Sequence, residues 1–241
     1  MITIITVVFN AEKTIRDTME SVCNQTLLPD EYLIIDGLST DGTLRIVQEY
    51  MQRFPFIKLV SEQDSGIYDA MNKGLDMAKG DLIGMINSDD WYELNALEQM
   101  WQAYKANGSG IYFGILRYIK DEMDYYLERT SEKFAGERMI PHPATFVSRE
   151  IYEQYGYFNL NYRYSADLEW VLRLSKQEVS FRHLDHIIAN FRIGGASESW
   201  KASLESEGIL KAYGVINTKQ YVIRSMIIRL RILLASIQGK H

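Results

Sequence analysis

Residues 31–43 read EYLIID (Glu31–Asp36) and then GLSTDGT (Gly37–Thr43). The four central residues of the first six, Tyr32–Ile35, are apolar without alternation, the pattern of a strand buried on both faces as in a parallel sheet. The next seven are turn formers, and Leu44–Phe54 then carries helical spacing. Strand, turn and helix in this order make one repeating unit of an α/β fold. Outward from it the same succession recurs: strands at Ile2–Phe9, Phe56–Val60 and Asp81–Ile86, helices at Glu12–Asn24, Tyr68–Ala78 and Asn95–Asn107. The alternation predicts a mostly parallel, Rossmann-like sheet covered by helices. Ligands in such sheets bind beyond the carboxyl ends of the strands. Asp36, Asp89 and the Gln63–Gly66 stretch all fall at such ends.

The second half is less regular. Ile111–Ile119 and Met123–Leu127 suit a hairpin, Ala144–Ser148, Phe181–His183 and Ile187–Phe191 suit strands, and Ser165–Leu174, Ser203–Tyr213 and Gln220–Ser236 suit helices. This predicts one domain over 1–207 and a helical extension over 208–241.

Composition narrows the classes. The chain has 241 residues, 46% hydrophobic and 24% charged, the balance of a globular domain. Sixteen Tyr and four Trp supply walls for sugar or base stacking, or simply core. A single cysteine, Cys23, excludes an internal disulfide and a cysteine zinc cluster, and the four His form no HExxH pair. Residues 1–9 lack a basic leader and a cleavage site and read as a strand. No run of 18 apolar residues is present. The net charge is −6, yet Gly208–His241 holds six Lys and Arg and no carboxylate, so the residues before it stand at −12. An acidic body with a basic end argues against nucleic acid as a partner and points the tail at an anionic surface.

Three stretches carry chemistry. In GLSTDGT, Asp36 can accept from a base or ribose, and Ser39 or Asp41 can cap the next helix, whose N-terminus favours phosphate; without a ligand the same residues make an Asx turn. In DSGIYDAMNKG (Asp64–Gly74), Gly66 permits close backbone approach, and Lys73 meets a phosphate or is a surface charge. In NSDD (Asn87–Asp90), two adjacent carboxylates end an apolar run. Mg²⁺ takes one or two carboxylates together with phosphate oxygens, which suits a metal bridging Asp89 to a diphosphate; a helix cap is the plainer alternative.

The order TVVFNAEKTIRDTMESVCNQT, LIIDGLSTDGT, EQDSGIYDAMNKGLDMAKGDLIGMINSDDW resembles the family 2 glycosyltransferases of bacterial polysaccharide synthesis, which have the GT-A fold, through most of residues 1–200. The resemblance implies that Thr6, Phe9 and Asp36 form the nucleotide pocket, with Asp64 near the base. It implies Mg²⁺ or Mn²⁺ on Asp89, with Asp90 assisting, because Asn87 replaces the first carboxylate of the D-x-D pattern. Asn87 and Ser88 then contact the donor as neutral groups. The stretch SADLEWVLRL (Ser165–Leu174) resembles the family's E-D-x-x-x-x-x-R helix, which places Asp167 as the base, with Ala166 where the preceding acid usually stands. Glu169 is the rival, but the helical period turns it about 200° away from Asp167. His142, between Pro141 and Pro143, stands where relatives often carry a site histidine. Phe191–Ser197 resembles a loop that closes over the donor, with Arg192 on the diphosphate.

The activity implied is inverting transfer of a sugar from a nucleotide diphosphate sugar, a UDP-sugar by family frequency, to a saccharide or lipid-linked saccharide. The place implied is the cytoplasmic face of the inner membrane. In the tail, Ile223, Met226, Ile227, Leu230, Leu233, Leu234 and Ile237 fall on one helical face and Arg224, Arg229 and Arg231 off it. Such a helix can lie in a membrane interface, or pack on the body or on a second chain. Two other functions fit parts of the pattern. A nucleotidylyltransferase wants a basic Gly-rich loop after the first strand, where Phe9-Asn10-Ala11 stands. A non-catalytic sugar-nucleotide binder needs the pocket without the base.

Overall fold

The computed structural model describes residues 1–132, 136–137, 139–194 and 199–237, with only the backbone for 235–237. The elements run β1 (Ile2–Val8), α1 (Ile15–Cys23), β2 (Glu31–Asp36), α2 (Thr43–Met51), β3 (Ile57–Ser61), α3 (Ile67–Met77), β4 (Leu82–Met85), β5 (Trp91–Tyr92) and α4 (Ala96–Asn107). There follow β6 (Ile111–Lys120), β7 (Met123–Glu128), β8 (Thr145–Ser148), α5 (Arg149–Tyr155), α6 (Ala166–Leu174), β9 (Phe181–Arg192), α7 (Trp200–Ala212) and α8 (Thr218–Ile237).

Along one sheet the order is β3-β2-β1-β4-β8-β6-β9-β5, and β7 pairs with β6. The neighbours β3, β2, β1 and β4 are parallel, as are β6 and β9, whereas β8, β7 and β5 join antiparallel. This is the Rossmann-like sheet that the βα repeats call for, extended by antiparallel strands. Every residue of β1 and of β2 is buried. Alternate side chains serve opposite faces. Ile2, Ile4, Tyr32 and Ile34 pack with Ile15, Met19 and Val47 under α1 and α2. Ile5, Val7, Leu33 and Ile35 pack with Met71, Leu75 and Trp170 under α3 and α6.

The chain runs out from β1 to β2 and β3 on one side and returns to β4 on the other. That reversal opens a crevice at the carboxyl ends of β1 and β4, where α/β sheets take ligands. The loop after β1 shapes it. Asn10 has φ 51°. Its N–H donates to Ser39 Oγ at 2.8 Å, and its Oδ1 accepts Thr40 N–H at 2.8 Å. These bonds tie Phe9–Glu12 to the turn after β2, which is why α1 starts at Ile15 and not at Glu12.

Other departures from expectation have similar causes. The strands expected at 181–183 and 187–191 are one, β9, whose register against β6 slips near Phe113–Leu116; the exposed Asp185 and His186 hide its continuity. β5 is two residues held by β9, a tertiary pairing that leaves no local signal. The expected division at 207/208 falls inside α7, and the turn between α7 and α8 holds Gly214 at φ 76°. The tail helix α8 is bound to α7 by Arg224–Glu207 at 3.6 Å and by Lys211 Nζ 4.7 Å from the Tyr221 ring centre. Its apolar stripe is open: Met226 is 65% and Leu230 56% exposed, with Ile223 and Ile227 also exposed.

Candidate active site

A cavity of about 1010 Å³ occupies the crevice. Phe9–Thr14, Asp41 and Asp64 line one end, Asn87, Ser88 and Asp89 its floor, and Tyr68, His142, Tyr164 and Asp167 the facing wall. Leu116, Tyr118, Glu128 and Phe191 close the side formed by the β6–β7 hairpin and β9.

At the first end Phe9 is 63% exposed, a free ring face at the mouth of the cavity. Asp64 Oδ1 accepts the N–H of Gly66, whose φ of 127° no side-chain-bearing residue adopts readily. A Cβ on residue 37 would lie 2.5 Å from Asp64 Oδ2 and 3.6 Å from Phe9. Glycine at 37 is what lets the carboxylate and the ring converge there. A ring face beside a carboxylate oxygen suits a planar heterocycle that presents an N–H.

On the floor, the Asp89 carboxylate accepts no hydrogen bond from any other described residue. Burial pushes its carboxyl above the ordinary range, and Arg192 pulls it back. A partly desolvated carboxylate beside two neutral side chains, Asn87 and Ser88, is a donor set that a hard cation could use. Mg²⁺ or Mn²⁺ would complete its coordination from phosphate oxygens and water, so the residues present fit such an ion. No cluster of three or more His, Cys, Asp or Glu occurs among the described residues, so protein ligands alone do not close the site.

On the facing wall, Asp167 sits in the first turn of α6. Its Oδ1 accepts the Tyr68 hydroxyl at 2.9 Å and the Leu168 N–H at 2.8 Å. Glu169 points away: its Oε1 accepts from Arg173 Nε at 3.1 Å and from the Tyr213 hydroxyl, inside the contact between α6 and α7. Burial holds the His142 imidazole below its ordinary range against the opposing pull of Asp167. The ring is a neutral group at the cavity wall, and its Nε2 is buried with no hydrogen-bond partner.

Five expected site residues do not reach the cavity. Thr6 is fully buried and shares its hydrogen bond with the Tyr32 hydroxyl at 3.0 Å. Asp36 is fully buried, accepting from Ser61 Oγ at 2.6 Å and Ser39 N–H at 3.1 Å, bonds that hold the turn after β2. Lys73 is held by the Gln63 carbonyl at 2.6 Å and Glu62 at 3.0 Å. Arg192 donates to the Asp89 carbonyl at 3.0 Å and to Asp17 at 3.0 Å, with its guanidinium 4.9 Å from the Trp91 ring centre. It braces the loop that bears Asp89. The loop expected after it includes residues 195–197, which lie outside the described residues.

Asp90 is the fifth. It is fully buried, its Oδ1 accepts the Arg192 N–H at 3.1 Å, and its Oδ2 is buried without a partner. Burial, and then the charge of Asp89, raise its carboxyl well above the ordinary range. Its bond to Arg192 ties β9 to the Asp89 loop, and Asp90 is not among the residues that line the cavity. Asp90→Asn keeps the acceptor for Arg192 and removes a buried ionisable group. It is expected to leave manganese-dependent nucleotide binding unchanged and the melting temperature level, or up by a few degrees. A drop of about tenfold in that affinity, by calorimetry, returns Asp90 to the metal site.

Sequence reasoning missed Tyr68, Tyr118 and Glu128. Tyr68 stands inside the stretch GIYDAMNKG, so its signal was present. Tyr118 and Glu128, bonded at 2.8 Å across the hairpin, belong to no motif.

Sheet, crevice and the residues gathered at its strand ends define the Rossmann-like α/β class that takes a phosphorylated ligand beyond the carboxyl ends of parallel strands. The chain belongs to glycosyl transferase family 2, whose family model matches residues 3–164. Chondroitin synthase of Escherichia coli is 30% identical over 201 residues, which is 80% of this chain and 29% of that protein, so the chain spans under a third of that relative. Among solved structures, residues 1–349 of S. aureus TarS in complex with UDP-GlcNAc superpose with TM-score 0.72 at 15% identity, over 93% of this chain and 70% of the other. The mannosyltransferase PcManGT from Pyrobaculum calidifontis, in complex with GDP-Man and Mn²⁺, superposes with TM-score 0.65 at 16% identity, over 88% and 62%. At these identities the likeness is one of fold.

Proposed function

We propose that the chain is an inverting glycosyltransferase that uses a nucleoside diphosphate sugar, with a UDP-sugar as donor, and a saccharide or lipid-linked saccharide as acceptor. The observation that carries this reading is that Phe9, Asp64, Asp89 and Asp167 all line one cavity. The nucleoside lies against Phe9 and Asp64. The diphosphate lies over Asn87, Ser88 and Asp89, where bound Mg²⁺ or Mn²⁺ supplies neutralising charge for the departing phosphates. Asp167 faces the sugar. The acceptor oxygen attacks the anomeric carbon as the bond from that carbon to the phosphate oxygen breaks. The electron pair leaves with the nucleoside diphosphate, and the hydroxyl proton passes to Asp167. Asp64, Asp89 and Asp167 thus divide binding, charge and proton transfer among three elements of the fold. The volume, at the top of the range for small-ligand sites, suits a donor and an acceptor sugar together. The matches to chondroitin synthase and to UDP-GlcNAc-bound TarS support a UDP-sugar donor and an acceptor in polysaccharide or glycolipid synthesis. PcManGT with Mn²⁺ supports a divalent ion.

The test is metal-dependent release of free nucleotide from a panel of UDP- and GDP-sugars. Release from a UDP-sugar supports the proposal. Binding of UDP-sugars with no turnover, with or without saccharide acceptors, favours a non-catalytic binder, and release of pyrophosphate favours a nucleotidylyltransferase.

The tail brings the enzyme to an anionic membrane surface on the cytoplasmic side. Support comes from the exposed stripe of Ile223, Met226, Ile227 and Leu230 and from the six cations without a carboxylate. No helix among the described residues is long and apolar enough to cross a membrane, and the open stripe of α8 suits a helix lying in the interface. Met226→Glu with Leu230→Glu is expected to cut co-sedimentation with phosphatidylglycerol vesicles about tenfold or more, with soluble donor turnover unchanged. Undiminished vesicle binding contradicts the membrane role, and a shift from dimer to monomer assigns the stripe to a second copy.

A further inference from the structure

The residues packed behind Asp167 engage its two oxygens unequally. Oδ1 already accepts the Tyr68 hydroxyl and the Leu168 N–H, whereas Oδ2 accepts from none of the described residues. Tyr68 is buried in the first turn of α3, its ring tilted against Phe158 with centres 5.4 Å apart. Its oxygen also lies 3.1 Å from the Tyr164 carbonyl. A phenol has one proton to donate, so carbonyl and carboxylate compete for it.

The Tyr164 peptide is held in place from its other side. Glu205, on α7, accepts the N–H groups of Arg163, Tyr164 and Ser165 at 3.0, 2.7 and 2.8 Å. Ser165 is the N-cap of α6 but makes no cap bond of its own. Its hydroxyl instead meets Ser206 Oγ at 2.8 Å and the Ala202 carbonyl at 3.3 Å. A carboxylate from α7 therefore engages the backbone donors of the three residues that lead into α6. One chain of contacts runs from Glu205 through the Tyr164 peptide and the Tyr68 hydroxyl to Asp167 Oδ1.

We propose that Tyr68 and Glu205 are positioning residues for Asp167: Tyr68 holds Oδ1 so that Oδ2 faces the acceptor, and Glu205 fixes the backbone on which that geometry depends. The inference rests on the reading of Asp167 as the base. Tyr68 approaches Asp167 from the α3 side and Glu205 clamps the start of α6 from α7, so the base is set by two elements distant in sequence. Neither residue needs to touch the donor, so their loss falls on kcat and leaves KM alone.

The experiment measures UDP release from UDP-N-acetylglucosamine, UDP-glucose and UDP-galactose in turn, with Mn²⁺ and with water as acceptor. Tyr68→Phe keeps the ring and its packing and removes one oxygen. Its kcat is expected to fall about tenfold with KM for the sugar nucleotide within about twofold. Glu205→Gln is expected to fall by a similar factor. The double variant is expected to fall by about the same tenfold, where independent sites would give about a hundredfold. Glu207→Gln, one turn face away and paired with Arg224 of α8, is expected to turn over as the parent does. Should Glu205→Gln fail to fold, the kcat and KM of Tyr68→Phe decide alone. Turnover that depends on Asp167 but is unchanged in Tyr68→Phe, or a Tyr68→Phe effect confined to KM, overturns this inference and leaves the transferase reading intact. Turnover by no UDP-sugar, or undiminished turnover by Asp167→Asn, overturns both.

Discussion

Asp89→Ala is expected to lower metal-dependent UDP release by about a thousandfold, roughly 4 kcal/mol of transition-state stabilisation. The reason lies in what surrounds the residue. Its carboxylate lines the cavity floor, carries no hydrogen bond from another described side chain, and is the sole carboxylate among Asn87, Ser88 and Asp89. The adjacent carboxylate, Asp90, does not line the cavity and is engaged by the Arg192 backbone. On the proposed role of Asp89, its removal takes away the cation's one carboxylate ligand on this loop. The measurement is initial-rate UDP release across a manganese titration, with the melting temperature as control. Alanine here removes a partly desolvated and unpaired carboxylate, so stability is expected to hold or rise. A loss smaller than about tenfold in the folded variant would remove Asp89 from its assigned place.

The second large effect is at Asp167. Asp167→Asn is expected to reduce kcat by a factor of about 10² to 10⁴, the usual contribution of a general base, with KM for the donor little changed. Asparagine keeps an oxygen for the Tyr68 hydroxyl and the Leu168 N–H, so the start of α6 retains its bonds. What is lost is the capacity to take a proton. Calorimetric titration with UDP separates the two aspartates: Asp167→Asn binds as the parent does, and Asp89→Ala loses the contribution of the metal. A parent-like kcat in Asp167→Asn sends the base role elsewhere, with His142 the next group on the same wall.

The parts of this fold that the sequence discloses are those whose signal is local. β2 has the expected bounds, Glu31–Asp36, because six buried residues in a row followed by a turn cluster have few alternative readings. The pairing of β5 with β9 and the continuity of β9 depend on partners far along the chain, and no local pattern announces them. The site divides in the same way. The position of Asp89 at a strand end, and of Asp167 opposite Glu169 on a helix, follow from period and motif. Thr6, Asp36, Lys73, Asp90 and Arg192 lie at motif positions too, but the direction of a side chain is set by its tertiary partner: Tyr32 for Thr6, Ser61 for Asp36, Glu62 for Lys73, and Asp17 for Arg192. Residue type and spacing report the loop that a carboxylate belongs to; which way it faces depends on contacts the motif does not encode. Glu205 is the converse case, a helix residue in no motif that reaches three backbone N–H groups some forty positions away.

The most direct test is a calorimetric titration of UDP into the full chain with Mn²⁺ and again with the metal chelated, repeated on Asp89→Ala. The predicted result is affinity at least about tenfold tighter with manganese for the parent chain, and no difference between the two conditions for the variant. Equal affinity in both conditions for the parent chain, or a manganese effect that survives in Asp89→Ala, would contradict a cation held by residue 89 against a nucleoside diphosphate.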